Sequence, residues 1–184
     1  MKLFPKISLT GDLGSGKSHL SRLLSERLGY KIISTGFIQR EIAAKYGMTT
    51  LELNEYTRTH PEIDDEIDGR VSELENSSES LIFDSRLAWH FAPHSFKVYL
   101  TVDPDVAAAR IFKDQRASEK YQTVEEAKKQ ILARRQSELQ RFKEYYNIDY
   151  ADLNNYDVVV NTSHRQPDDV CETIIHSFEM WRNE

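Results

Sequence analysis

Short apolar runs alternate along the chain with longer stretches of helical periodicity. Runs rich in Val, Ile, Phe and Tyr, none with an interior proline, predict strands at 6–10, 31–34, 81–84, 97–102 and 157–161. Between them the apolar positions fall on one helical face. Leu20, Leu23, Leu24 and Leu28 mark a helix that stops at Gly29, a residue suited to a left-handed cap. Pro104 fits the first position of a helix over about 104–116. Thr123-Val-Glu-Glu126 has capping-box spacing and opens a long helix reaching about Tyr146. A last helix starts near Pro167 and carries Val170, Ile174, Phe178 and Trp181 at helical spacing. Strands separated by helices imply parallel pairing, hence a three-layer α/β fold around a five-stranded parallel sheet. Two helical excursions interrupt the alternation, an acidic one at about 37–80 and an arginine-rich one at about 110–146. There is no internal repeat, no low-complexity segment and no linker long enough for a second domain.

Composition narrows the class. At 184 residues, 39% hydrophobic and 29% charged, the chain is the size of one domain able to bury most of its unfolded surface. One cysteine, Cys171, rules out an intrachain disulfide framework and fits a reducing compartment. No apolar run approaches the ~20 residues that span a bilayer, and Pro5 and Lys6 break the first apolar run, so no signal peptide is expected. The cytoplasm is the expected location. The net charge of −6 is unevenly placed, with a balance of −8 in residues 51–80 and +2 in the rest of the chain. That pattern gives no general affinity for nucleic acid or an anionic membrane. Any phosphate chemistry must use locally placed cations.

Such a place is legible. Gly11-Asp-Leu-Gly-Ser-Gly16-Lys17-Ser18 fits G-x-x-x-x-G-K-[ST], with an apolar strand before it and an amphipathic helix after it. Glycine lets backbone N–H groups converge on phosphate oxygens, and the helix turns its positive end to the same anion. The predicted nucleoside triphosphate site comprises Gly11, Asp12, Leu13, Gly14, Ser15, Gly16, Lys17, Ser18 and His19. Lys17 would meet the β- and γ-phosphates, and Ser18 would ligate Mg²⁺. Neither N-K-x-D nor D-x-x-G is present, which argues against a GTPase switch, and the third strand does not end in the Asp-Glu of a motor ATPase. It ends in Asp84-Ser85-Arg86, at the sheet edge where α/β folds bind ligands. Asp84 is a candidate to hold a water on Mg²⁺, and Arg86 to grip a second anion. Thr35 and Arg40 follow the second strand; Arg134 and Arg141 share a helical face, with Arg135 beside it and Arg110 and Arg116 upstream. Several guanidiniums near a phosphate loop suit phosphoryl transfer, whose loose transition state is stabilised by positioning and charge.

These motifs, with His60-Pro-Glu-Ile-Asp64…Asp68, Asp84-Ser-Arg-Leu87, Arg135-Gln-Ser-Glu138…Arg141 and Asp157-Val-Val-Val-Asn161-Thr, occur in the order found in compact cytidylate kinases of the archaeal type. The chain resembles that family, within the P-loop nucleoside monophosphate kinases, from about residue 7 to 162. The resemblance implies a core at about 1–36, 81–109 and 147–184, a monophosphate-binding insertion at about 37–80 and a lid at about 110–146. It implies ATP as phosphoryl donor with Mg²⁺, and CMP or dCMP as acceptor. Carried over by position, Thr35, Arg40 and Arg86 would hold the acceptor. Arg134, Arg135 and Arg141 would surround the phosphates from the lid, completing a catalytic set with Lys17 and Arg86. Asp64 or Asp68 is placed to read an exocyclic amine, and Asp68 is counted with the acceptor site.

The sequence departs from that pattern in two places. Ala88-Trp-His-Phe-Ala-Pro93 stands where a small glycine-containing turn is usual, putting the acceptor base in question. Asp12 and Leu13 replace residues that are often small or proline, with little effect expected if those positions present only backbone. Two other readings compete. A hydroxyl acceptor, such as a nucleoside or a shikimate-like alcohol, would need a base, for which Asp84 is the candidate. A non-catalytic nucleotide-binding regulator would be expected to lack Lys17 or the arginines, which are present. His90 and His94 read as core or surface histidines rather than metal ligands, because Pro93 lies between them. Trp89 and Phe91 suit either a base pocket or burial at the sheet edge. The expected partners are small-molecule nucleotides and the expected state a monomer.

Overall fold

The computed structural model describes residues 4–49, 52–53, 56–57, 59–60, 62–114 and 121–183. Five strands form one parallel sheet: β1 (Lys6–Gly11), β2 (Lys31–Ser34), β3 (Leu81–Asp84), β4 (Phe96–Thr101) and β5 (Val158–Asn161), in the order β2-β3-β1-β4-β5. Each lies within one residue of its prediction. The helices are α1 (Lys17–Leu28), α2 (Thr35–Lys45), α3 (Glu62–Glu75), α4 (Ala88–Phe91), α5 (Pro104–Lys113), α6 (Val124–Tyr146) and α7 (Pro167–Arg182). The helix expected to reach 116 is described as far as Lys113, and Arg116 lies outside the described residues, as do Arg58 and Pro61.

Local chemistry sets these boundaries. Gly29 caps α1 with φ 70°, its N–H donating to Ser25 at 2.8 Å. Asp103 caps α5 through the N–H of Asp105 at 2.8 Å, ahead of Pro104. Thr123 accepts from the N–H of Glu126 at 3.1 Å, half of the expected capping box; the Glu126 carboxylate takes the N–H of Gln122 instead.

Alternation in the central strands splits the core. One face of the sheet, with Ile7, Leu9, Ile82 and Val98, packs on α1 and α7 through Leu20, Leu24, Cys171, Ile174 and Phe178. The other, with Leu81 and Phe83, packs on α2 and α3 through Ile38, Ile42, Ile63, Ile67 and Val71. Helix α6 is fastened at both ends. Ala127 and Ile131 pack with Ala107 and Ala108 of α5, while Phe142 joins Trp89, Tyr99, Ile148 and Tyr150. The bulky 88–93 segment resolves accordingly: Trp89 is core and Phe91 is only partly buried. No helix among the described residues is long and apolar enough to cross a membrane.

Candidate active site

All strand carboxyl ends point the same way, and the phosphate loop closes over that edge. Gly14 and Gly16 have φ of 79° and 84°, conformations that a side chain rarely adopts. A Cβ on Gly14 would sit 2.9 Å from Ala107, so the loop is pressed against α5, whereas a Cβ on Gly16 would meet nothing within 4 Å. The space over Gly16 is open in front of a helix whose first turn has no side-chain cap and no acidic residue. The buried Ser15 hydroxyl has no partner among the described residues. An open, uncapped N-terminus beside an unpartnered hydroxyl is suited to polyanion binding, and the residues fit a nucleoside triphosphate.

Two clefts meet at this loop. One, of about 650 Å³, runs from Asp12 to His19 and is walled by Arg22, Arg110 and Lys113. The other, of about 760 Å³, is lined by Thr35, Gly36 and Gln39 of α2, Asp64, Ile67 and Asp68 of α3, Asp84 and Arg86, Phe91, and Arg134, Glu138, Arg141 and Tyr146 of α6. Lys17, Ser18, Arg86 and Arg134 line both. The junction of the clefts is therefore cationic.

Each central cation has a carboxylate beside it. Lys17 pairs with Asp84, whose second oxygen lies 3.3 Å from the Ser21 hydroxyl. Burial and the Arg86 charge lower the Lys17 pKa to about 7, with Glu138 opposing. Arg86 pairs through Nε with Glu138, which also takes Arg134 at 3.2 Å. Also lining the larger cleft, the Tyr146 hydroxyl donates to Asp68 at 2.8 Å. Burial raises the Asp68 pKa to about 6, Tyr146 and Arg141 opposing and Asp64 and Asp65 reinforcing. Burial also raises Asp64, against Arg141.

Several predicted residues fall elsewhere than expected. Arg40 is exposed and is not among the residues that line the larger cleft, whereas Gln39 is; the Arg40 Nη1 lies 3.5 Å from where a Cβ on the cleft-lining Gly36 would sit. Arg110 is tied to carbonyls, Gly14 at 3.2 Å, Thr162 at 2.6 Å and Ser163 at 3.2 Å, so it braces the loop against the turn after β5. His19 lines the cleft of about 650 Å³ at the loop and also borders a third cavity of about 550 Å³, shared with Arg110 and residues 162–167. Asp12 and Leu13 do more than present backbone. Leu13 packs against the α5–α6 cluster, and the Asp12 carboxylate accepts from Tyr99 at 2.9 Å and pairs with Arg135 at 3.2 Å. Sequence reading named Glu138 only within the Arg135-Gln-Ser-Glu138 motif and missed Gln39 and Tyr146. Glu138 lies one turn from each of Arg134 and Arg141 on their shared α6 face, whereas Tyr146 is rotated by about 120° from Arg134 around the helix, so extending that face does not find it. No group of three or more His, Cys, Asp or Glu able to hold a metal occurs among the described residues.

A parallel sheet with a glycine-rich loop feeding α1 and an arginine-walled cleft defines a P-loop kinase fold. Shikimate kinase from Bacteroides thetaiotaomicron shares it with a TM-score of 0.63 over 95% of this chain and 98% of that one, at 20% identity. That likeness is one of fold alone. The chain belongs to the cytidylate kinase-like family, whose model matches residues 6–164. It is 36% identical over 177 residues to a cytidylate kinase of Haloarcula marismortui, covering 95% of this chain and 90% of that protein. A cytidylate kinase of Methanothermobacter thermautotrophicus is 40% identical over 157 residues, covering 85% and 94%.

Proposed function

We propose that the protein transfers the γ-phosphoryl group of ATP to CMP or dCMP, giving ADP and CDP or dCDP. The observation that carries this is the meeting of two clefts at Lys17, Ser18, Arg86 and Arg134. The smaller cleft offers the phosphate loop to the donor, and the larger, taken as the acceptor-side cleft, carries the Asp68–Tyr146 carboxylate–tyrosine pair besides its arginines. A phosphate monoester is largely dianionic near neutral pH, so its oxygen attacks without a general base. What opposes reaction is the repulsion of two polyanions, and the cations at the junction offset it while holding donor and acceptor in line. Mg²⁺ brought with the nucleotide would add charge neutralisation at the phosphates, with the Ser18 hydroxyl and Asp84 as the residues that would hold it. Arg86 and Thr35 would hold the acceptor phosphate, with Arg134 and Arg141 above it. Arg40, whose Nη1 lies beside Gly36, would join them by turning its exposed side chain into the cleft. The α6 segment would act as the lid. The working unit is one chain acting on small-molecule nucleotides in the cytoplasm.

A hydroxyl acceptor is less favoured, because Asp84 is paired with Lys17 and a carboxylate held by an ammonium is a weak base. The test is ADP formation from MgATP with CMP, dCMP, UMP, AMP, GMP, cytidine and shikimate in turn. Turnover is expected with CMP or dCMP; turnover only with an alcohol would overturn the reading.

The base end makes a separate prediction. An ionised Asp68 accepts from the exocyclic amine of cytosine, which uracil lacks. Because the Asp68 pKa is raised to about 6, the group is ionised at pH 7.5 and protonated at pH 5. The ratio of kcat/KM for CMP to that for UMP is therefore expected to fall as pH drops through 6. Both acceptor phosphates titrate alike and cancel in the ratio. The Asp68→Asn variant should show a flat ratio; an unchanged slope would remove Asp68 from base reading.

A further inference from the structure

The second residue of the phosphate loop is a carboxylate, and it does not face solvent. The Asp12 side chain is 11% exposed and is held from two directions. The Tyr99 hydroxyl and the Val102 N–H reach it from β4 and the residue after it, at 2.9 and 3.3 Å, and Arg135 reaches it from α6 at 3.2 Å. Tyr99 is itself buried to 1% exposure, and burial together with the Asp12 charge pushes its pKa well above the ordinary value, which makes it a fixed donor. A carboxylate here is a liability, since the loop's backbone is arranged to receive a polyanion. Arg135 is the cation that answers it. Arg134 and Arg141 line the acceptor-side cleft, and Arg134 the loop-side cleft also; Arg135 lines neither.

We propose that Arg135 serves ATP binding through Asp12 rather than by touching phosphate: it is the counter-ion that keeps the loop's own carboxylate from repelling the donor, and the pair fastens the middle of α6 to the loop. This makes Arg135 and Asp12 positioning residues. It rests on the reading of the loop-side cleft as a triphosphate site and not on the identity of the acceptor. The two roles expected of Arg135, direct ligand or counter-ion, differ in what happens when Asp12 loses its charge.

The test is calorimetric titration with MgATP, without acceptor, of the native protein, Arg135→Ala, Asp12→Asn and the double variant, with the thermal midpoint of each as a control on folding. Asparagine keeps an acceptor for Tyr99 and the Val102 N–H. Arg135→Ala is expected to weaken ATP binding about tenfold, within the range seen for coupled neighbours. Asp12→Asn should change it by less than about threefold, and the double variant should recover to within about threefold of Asp12→Asn. A double variant as weak as Arg135→Ala would overturn the proposal and make Arg135 a direct phosphate ligand. Should Asp12→Asn fail to fold, Arg135→Lys decides, since a counter-ion tolerates lysine and a forked phosphate grip does not. Native protein that binds no MgATP would overturn this proposal and the kinase reading together. Native protein that binds ATP yet leaves CMP untouched would overturn only the choice of acceptor.

Discussion

Replacing Lys17 by alanine is expected to lower kcat/KM for phosphoryl transfer by roughly a thousandfold, about 4 kcal/mol of transition-state stabilisation, with the fold intact. Lys17 stands where both clefts meet, so its charge serves the bond that breaks and the oxygen that attacks. Nothing in the core depends on it. The buried positions of α1 are Leu20, Ser21 and Leu24, and alanine is the best helix former available for the first turn. The change strands Asp84, which retains the Ser21 hydroxyl at 3.3 Å and can take up a proton rather than remain an unpaired buried charge. A thermal midpoint within a few degrees of the native value, with transfer of labelled phosphate reduced to near background, is the expected pair of results. Undiminished transfer would remove the loop from the donor site.

The fold was legible because its signals are local. Five apolar runs, a glycine cap and a proline at each of two helix starts need only near neighbours to be read. The short α4 at 88–91 was not foreseen, since a single turn carries no periodicity. The phosphate loop was legible for the same reason of proximity. The pairs that organise the site were not: Lys17–Asp84 and Arg86–Glu138 join residues 67 and 52 positions apart. Arg40 is a nearer case: on α2 it lies one turn after Gly36, a residue of the larger cleft, and its Nη1 comes to 3.5 Å from where a Cβ on Gly36 would sit, yet Gln39, one turn after Thr35, is the side chain that lines the cleft. Asp12 was misread because the loop was treated as backbone alone. Its meaning depends on Tyr99 and Arg135, which only the folded chain brings to it.

Arg86 carries the second large effect. Arg86→Ala is expected to lower kcat/KM for CMP by roughly a hundredfold while ATP affinity stays within about threefold. The side chain follows β3, points its Nε at Glu138 and has no hydrogen-bond partner for its terminal nitrogens among the described residues. A guanidinium fixed at one edge and open at its fork is preorganised for two oxygens of an acceptor phosphate. Arg86→Lys keeps a charge but cannot satisfy Glu138 and grip two oxygens at once, so it should recover no more than about tenfold of the loss. Glu138→Gln separates holding from binding. It leaves the Arg86 charge in place and loosens its aim, so the acceptor KM should rise with ATP affinity unchanged. Equal losses toward ATP and CMP in Arg86→Ala would instead place the guanidinium on the transferring phosphoryl group, because that group alone belongs to both substrates in the transition state.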